Sequence, residues 1–99
     1  MGISRAELIG RARELAPVFA RRAQAAEERR APLDETIRDM IDSGVLATLT
    51  PRVYGGHELG IDVMAEITRI FSAACPSTGW VAAFYMGAAW RANIFSEQA

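Results

Sequence analysis

The chain has no lysine, one cysteine and one histidine, and no apolar run long enough to cross a bilayer. Each scarcity removes a class of function. A lone Cys75 closes no internal disulfide and builds no thiolate metal cluster, so a reducing, cytoplasmic setting is expected. The longest uncharged apolar stretch, Trp80 to Trp90, stops at Arg91, well short of the ~20 residues of a membrane-spanning helix. Met1-Gly2-Ile3-Ser4-Arg5 has no basic run ahead of an apolar core, and Glu7 already stands in the first turn, so neither a signal nor a transit peptide is expected. Ala6, where a Ser or Thr is needed, breaks a myristoylation match. An excess of one charge is missing too. Eleven Arg against twelve Asp plus Glu leave a net charge of −1, so no summed basic field draws in nucleic acid or an anionic membrane.

What is present is apolar. A hydrophobic fraction of 51% and a mean hydropathy of +0.07 exclude a disordered chain, and 99 residues allow one small domain. Ser4-Arg5-Ala6-Glu7 fits a capping box. Behind it Leu8, Ala12, Leu15, Phe19, Ala23 and Ala26 recur at three or four residues and predict one apolar helical stripe, with a kink or break near 13–17 because of Pro17. Pro32 and Asp34 open a second helix with Ile37, Met40 and Ile41 as its buried edge and Gly44 as a left-handed terminator, onto which Val45 and Leu46 fold back.

Thr48-Leu49-Thr50-Pro51 reads as an extended connector, and Tyr54-Gly55-Gly56 as a tight turn inside the longest irregular segment, about 47–61. Asp62 is the expected cap of a third helix carrying Val63, Ile67, Ile70, Phe71 and Ala74, ended by Cys75-Pro76. Ser77 or Thr78 is the expected cap of a fourth helix, from about Gly79 to Phe95, apolar nearly all round. Ser96-Glu97-Gln98-Ala99 reads as the first turn of another helix, so the 99 residues are expected to be the front of a longer chain. The fold class is therefore all-α, a bundle of about four helices.

No complete active site emerges from residue chemistry. His57 has only Glu58 and Asp62 near it in sequence, too few for a metal site, and is expected to be structural or solvent-exposed. Cys75 stands where a thiol pKa can fall, yet no base neighbours it, which favours a buried filler. Glu27-Glu28-Arg29-Arg30 reads as a solvated helix end. Gly55-Gly56 lacks the flanking strand and helix of a phosphate loop. Trp80, Phe84, Tyr85, Ala88 and Trp90 share the fourth helix, and such a row is ordinarily core. The other reading is a wall for a flat ring, because Trp80, Phe84 and Ala88 recur every four residues and Ala88 leaves space.

Leu33-Asp34-Glu35-Thr36, Gly44-Val45-Leu46, Pro51-Arg52-Val53-Tyr54-Gly55-Gly56 and Cys75-Pro76-Ser77-Thr78-Gly79-Trp80-Val81, in this order behind an Arg- and Glu-rich helix, resemble the N-terminal helical domain of the acyl-CoA dehydrogenase superfamily. The Ser-Thr-Gly-Trp-Val segment is most similar to its two-component flavin-dependent monooxygenases. The resemblance covers essentially the whole chain, about the first quarter of such an enzyme, without the β-barrel and C-terminal helical domains. It implies hydroxylation of a small, commonly aromatic substrate by oxygen and reduced flavin, FMN or FAD, delivered by a separate flavin reductase, in a homo-oligomeric enzyme.

The resemblance also places Trp80 by the flavin, and Phe84, Ala88, Tyr54, Gly55 and Gly56 by the substrate pocket, with no catalytic residue and no metal in this segment. Many such enzymes carry a histidine eight residues after the Trp, where this chain has Ala88. Three explanations stay open: a substrate needing no such base, a base from another segment, or chemistry nearer dehydrogenation. One alternative to the monooxygenase is an acyl-CoA dehydrogenase or oxidase. A non-enzymatic helical module or inactive piece is the other. The 99 residues alone are expected to be inactive, to hold no flavin, and to self-associate through an under-covered fourth helix.

Overall fold

Ser4 starts the first helix as predicted: its hydroxyl accepts a hydrogen bond from the Glu7 N–H at 3.1 Å, satisfying one of the four free donors of a helix start. A computed structural model describes residues 3–98, with side chains for 3–51 and 53–88. It contains α1 (Arg5–Arg29), α2 (Asp34–Ser43), a 3₁₀ turn over Val45–Ala47, another over Arg52–Tyr54, α3 (Ile61–Ala74) and α4 (Pro76–Gln98), with no strand among the described residues. The all-α fold class therefore stands. The shortest dimension, 20 Å, is two helix layers. α3 packs against both α1 and α4, while α2 leans on α1.

The predicted stripe of α1 is the observed one. Leu8, Ala12, Phe19 and Ala26 are buried, and Leu15 and Ala23 are partly so. The predicted break is not there: α1 runs unbroken through Pro17. Pro17 and Arg13 are both exposed, so the carbonyl that loses its partner one turn back faces water. α2 ends at Gly44, whose φ of +87° is the predicted left-handed cap. Its buried edge is Thr36 and Met40 with Ile37 partly covered, whereas Ile41, expected inside, is 60% exposed. α2 is short and touches the bundle along one narrow stripe, and Ile41 falls off that stripe.

Thr48, expected in an extended connector, has helical backbone angles and is buried, its hydroxyl donating to the Val45 carbonyl. The cap of α3 is Gly60, not Asp62. Asp62 lies in the first turn and pairs across the bundle with Arg5 at 2.6 Å. α4 begins at Pro76, three residues before the expected Gly79, because proline suits a first helical position where no N–H partner is needed. Ser96-Glu97-Gln98 continues α4 rather than opening another helix. Ala99 lies outside the described residues.

The inward side of α4 is made of small and flexible residues: Thr78, Gly79, Ala82 and Met86. Gly79 sets the crossing with α3, since a Cβ there would lie 2.7 Å from the Ser72 Cα and backbone N. Trp80, Phe84 and Tyr85 of α4 point away from the bundle. No described helix is long and apolar enough to cross a membrane.

Candidate functional site

Helical spacing puts Trp80 and Phe84 one turn apart on α4, and they stack nearly parallel, with ring centroids 6.0 Å apart and planes at 9°. Tyr85 meets the edge of Phe84 at 6.0 Å and 68°. The three are 70%, 53% and 47% exposed, so the expectation that this row is core is overturned, and the reading as an uncovered aromatic wall is the one that fits. The physical reason is that Phe19 and Phe71 already fill the space between α1 and α3, edge to face at 5.0 Å, and among the described residues of α4 it is the small or flexible Thr78, Gly79, Ala82 and Met86 that fit beneath it. Ala88, a further turn along, is half-buried, and a Cβ at Gly87 would meet nothing within 4 Å. The wall thus continues into a shelf of small residues. Tyr85 and Gly87 were not singled out as site residues from sequence, although their helical offsets from Phe84 were the available signal. The Trp90 side chain lies outside the described residues.

The Tyr54-Gly55-Gly56 turn is held by its own backbone. Tyr54 and Gly56 both donate N–H bonds to the Pro51 carbonyl at 3.0 Å. Gly55 has φ +84°, and the Gly56 Cα sits so close to Thr50 that any Cβ would collide with its carbonyl, which explains both glycines. Bonds from the N–H groups of His57, Glu58 and Leu59 to Ala47, Thr50 and Thr48 then fasten the loop down. Tyr54 is left 67% exposed. No ring contact among the described residues joins it to Trp80, Phe84 or Tyr85. Trp80 and Phe84 are thus in direct ring contact, and the Tyr54 turn touches them through no ring pair.

His57 is occupied on both ring nitrogens. Nε2 donates to the Gly44 carbonyl at 3.0 Å, which fixes the tautomer, and Nδ1 accepts from the Ile3 N–H at 3.4 Å. A cap on α2, the loop and the start of the chain are tied by one imidazole, so the structural role expected for it is the observed one. Cys75 is buried, with its Sγ 3.4 Å from the Ser77 Oγ. Burial pushes the thiol pKa up, but hydrogen bonds from the side chains and backbone of Ser77 and Thr78 outweigh it and leave the thiol below its ordinary value. No reactant reaches it in this setting. Among the described residues no three His, Cys, Asp or Glu side chains cluster as metal ligands.

Chemically, the wall offers a flat, uncharged stacking surface with room beside it and no proton-transfer group except the Tyr85 phenol. The chain is 68% identical, over its whole length, to a pigment production hydroxylase from a Rhodococcus species, covering 26% of that protein. It is 34% identical over 86% of its length to the flavin-dependent monooxygenase oxygenase subunit HsaA of Mycobacterium tuberculosis, and 33% identical over 93% to the oxygenase component of an FADH2-dependent resorcinol hydroxylase from a Rhizobium species, covering 22% of each. The chain thus spans about a quarter of the length of these relatives. No solved structure matches it. Residues 10–95 match the family described as acyl-CoA dehydrogenase, N-terminal domain. With six-sevenths of its residues inside that match and the expected helical order in place, this chain belongs to the family of acyl-CoA dehydrogenase N-terminal domains.

Proposed function

We propose that this chain is the N-terminal helical part of the oxygenase component of a two-component flavin-dependent monooxygenase that hydroxylates a small aromatic substrate. The observation that carries this reading is the exposed Trp80–Phe84 stack, a surface that suits a flat ring. The hydroxylase and monooxygenase names of the relatives support the same chemistry. Reduced FMN or FAD, supplied by a separate flavin reductase, provides the electrons that activate oxygen when it is bound.

The residues present fit such a group on one side. Trp80 is the stacking face for the flavin, and Phe84 and Ala88 line the substrate pocket, where Phe84 excludes water and Ala88 leaves room for the ring. Tyr54, Gly55 and Gly56 form a second edge of that pocket. One wall encloses nothing, so the β-barrel and C-terminal helical domains of a longer protein complete the site, and the 99 residues alone neither hold flavin nor turn over. The working enzyme is a cytoplasmic homo-oligomer.

The test is anaerobic titration of the full-length protein with reduced FMN and reduced FAD, followed by oxygen and a phenol. Binding of one flavin and reductase-dependent formation of a hydroxylated product are expected. Trp80→Ala is expected to weaken flavin binding at least about tenfold, the loss of one stacked ring of ~1.5 kcal/mol. Flavin reduction by an acyl thioester without a reductase would instead mark a dehydrogenase or oxidase. No flavin binding at all would leave a helical module.

A further inference from the structure

Two glycines interrupt α4, and packing explains only one of them. Gly79 makes room for the Ser72 backbone, whereas a Cβ at Gly87 would meet no described atom within 4 Å. A glycine inside a helix is destabilising relative to alanine, and at Gly87 no close approach offsets that. Gly10 of α1 is as open, but no aromatic residue stands within four positions of it. Gly87 stands at the aromatic wall. It is seven residues from Trp80, so it lies within about 20° of Trp80 around the helix and ~10 Å further along, with Phe84 between the two.

One face of the Phe84 ring meets Trp80 in the 9° stack, and its 53% exposure leaves the rest of the ring open toward the next turn, where Gly87 stands. Ala83, one turn before Gly87, and Ala88, beside it, add only methyl groups to that surface. A single ring needs no more than Phe84 to stack on and Ala88 to clear. The further depth over Gly87 is used only by a wider ring system. From this we infer that Gly87 is a specificity-determining residue of the substrate pocket: its missing side chain lets the pocket accept a flat aromatic of two fused rings. This rests on the reading of the Trp80–Phe84 wall as the substrate site. Gly87 touches the reaction only by leaving space, so its mark is discrimination between ring sizes.

The experiment measures equilibrium binding of phenol and of 2-naphthol to the full-length protein, with and without reduced flavin, for the natural sequence, Gly87→Ala and Gly87→Leu. Gly87→Leu is expected to weaken 2-naphthol at least about tenfold more than phenol, the discrimination that a few carbon atoms in an apolar pocket provide. Gly87→Ala is expected to fall between. Thermal unfolding separates this from misfolding, because leucine is the better helix former and is expected not to lower the Tm. Naphthol binding that responds to Gly87 in a protein that takes up no flavin would remove the catalytic reading and keep the pocket. Failure of the natural sequence to bind 2-naphthol, or a loss in Gly87→Leu no greater for 2-naphthol than for phenol, would overturn the assignment.

Discussion

Two aromatic pairs with similar ring spacing have opposite fates in this chain. Phe19 and Phe71 meet at 5.0 Å and are fully buried, whereas Trp80 and Phe84 meet at 6.0 Å and are mostly exposed. The difference lies in what each helix faces. α3 sits between α1 and α4, so its ring is covered from two sides, while the outer side of α4 has no described neighbour. A ring buried on all sides supplies stability. A ring left flat and open adds little stability and leaves the surface on which the proposed stacking rests.

The sharpest way to break this comparison is to truncate one ring from each pair. Phe71→Ala is expected to cost about 3–5 kcal/mol in urea unfolding, and Phe84→Ala less than ~1 kcal/mol. Equal losses would refute the division between a structural and a binding pair. A second pair of substitutions works on the glycines. Gly79→Val drives a side chain into the Ser72 backbone and is expected to cost about 3 kcal/mol or to prevent folding, while Gly87→Ala, with open space around it, is expected to be stabilising by up to ~1 kcal/mol. Thermal unfolding of both variants checks the pair.

His57→Ala is expected to cost about 1–3 kcal/mol, because the buried side of the α2 cap loses its donor and the Ile3 N–H its acceptor. Hydrogen exchange at residues 3–8 and 44–47 is expected to speed up, and unchanged exchange would remove the imidazole tie. The smallest effect concerns Asp62. Its hydrogen bond and charge pairing with Arg5 hold the carboxyl pKa below its ordinary value against a weaker desolvation. A depressed folded pKa stabilises above the unfolded value near 4 and loses that contribution as pH falls through the folded one. Asp62→Asn is therefore expected to flatten the acid limb of a stability–pH profile below about pH 4, and superimposable limbs would show that the pair contributes nothing.

Much of the fold is legible in local chemistry. The Ser4 cap, the α1 stripe from Leu8 to Ala26 and the Gly44 terminator are read directly, because each depends on contacts within one helix or turn. Ile41 is misread, and the α4 aromatics are left between core and open wall, for a shared reason: periodicity marks an apolar face but carries no information on whether another element covers it. The start of α4 is misplaced because Pro76 both ends one helix and begins the next, and only the chain path distinguishes the roles. The candidate wall of Trp80, Phe84 and Ala88 is visible as a spacing of four, whereas its distance from the Tyr54 turn depends on how separate segments pack.

By itself the sequence determined the helix count, most helix ends, the Gly44 terminator and the family, since propensity, capping and backbone freedom act within a few residues. Only the tertiary structure decided which apolar faces are covered. Burial is a property of two surfaces meeting, and α4 presents Ala82 and Met86 inward while leaving Trp80 and Phe84 exposed.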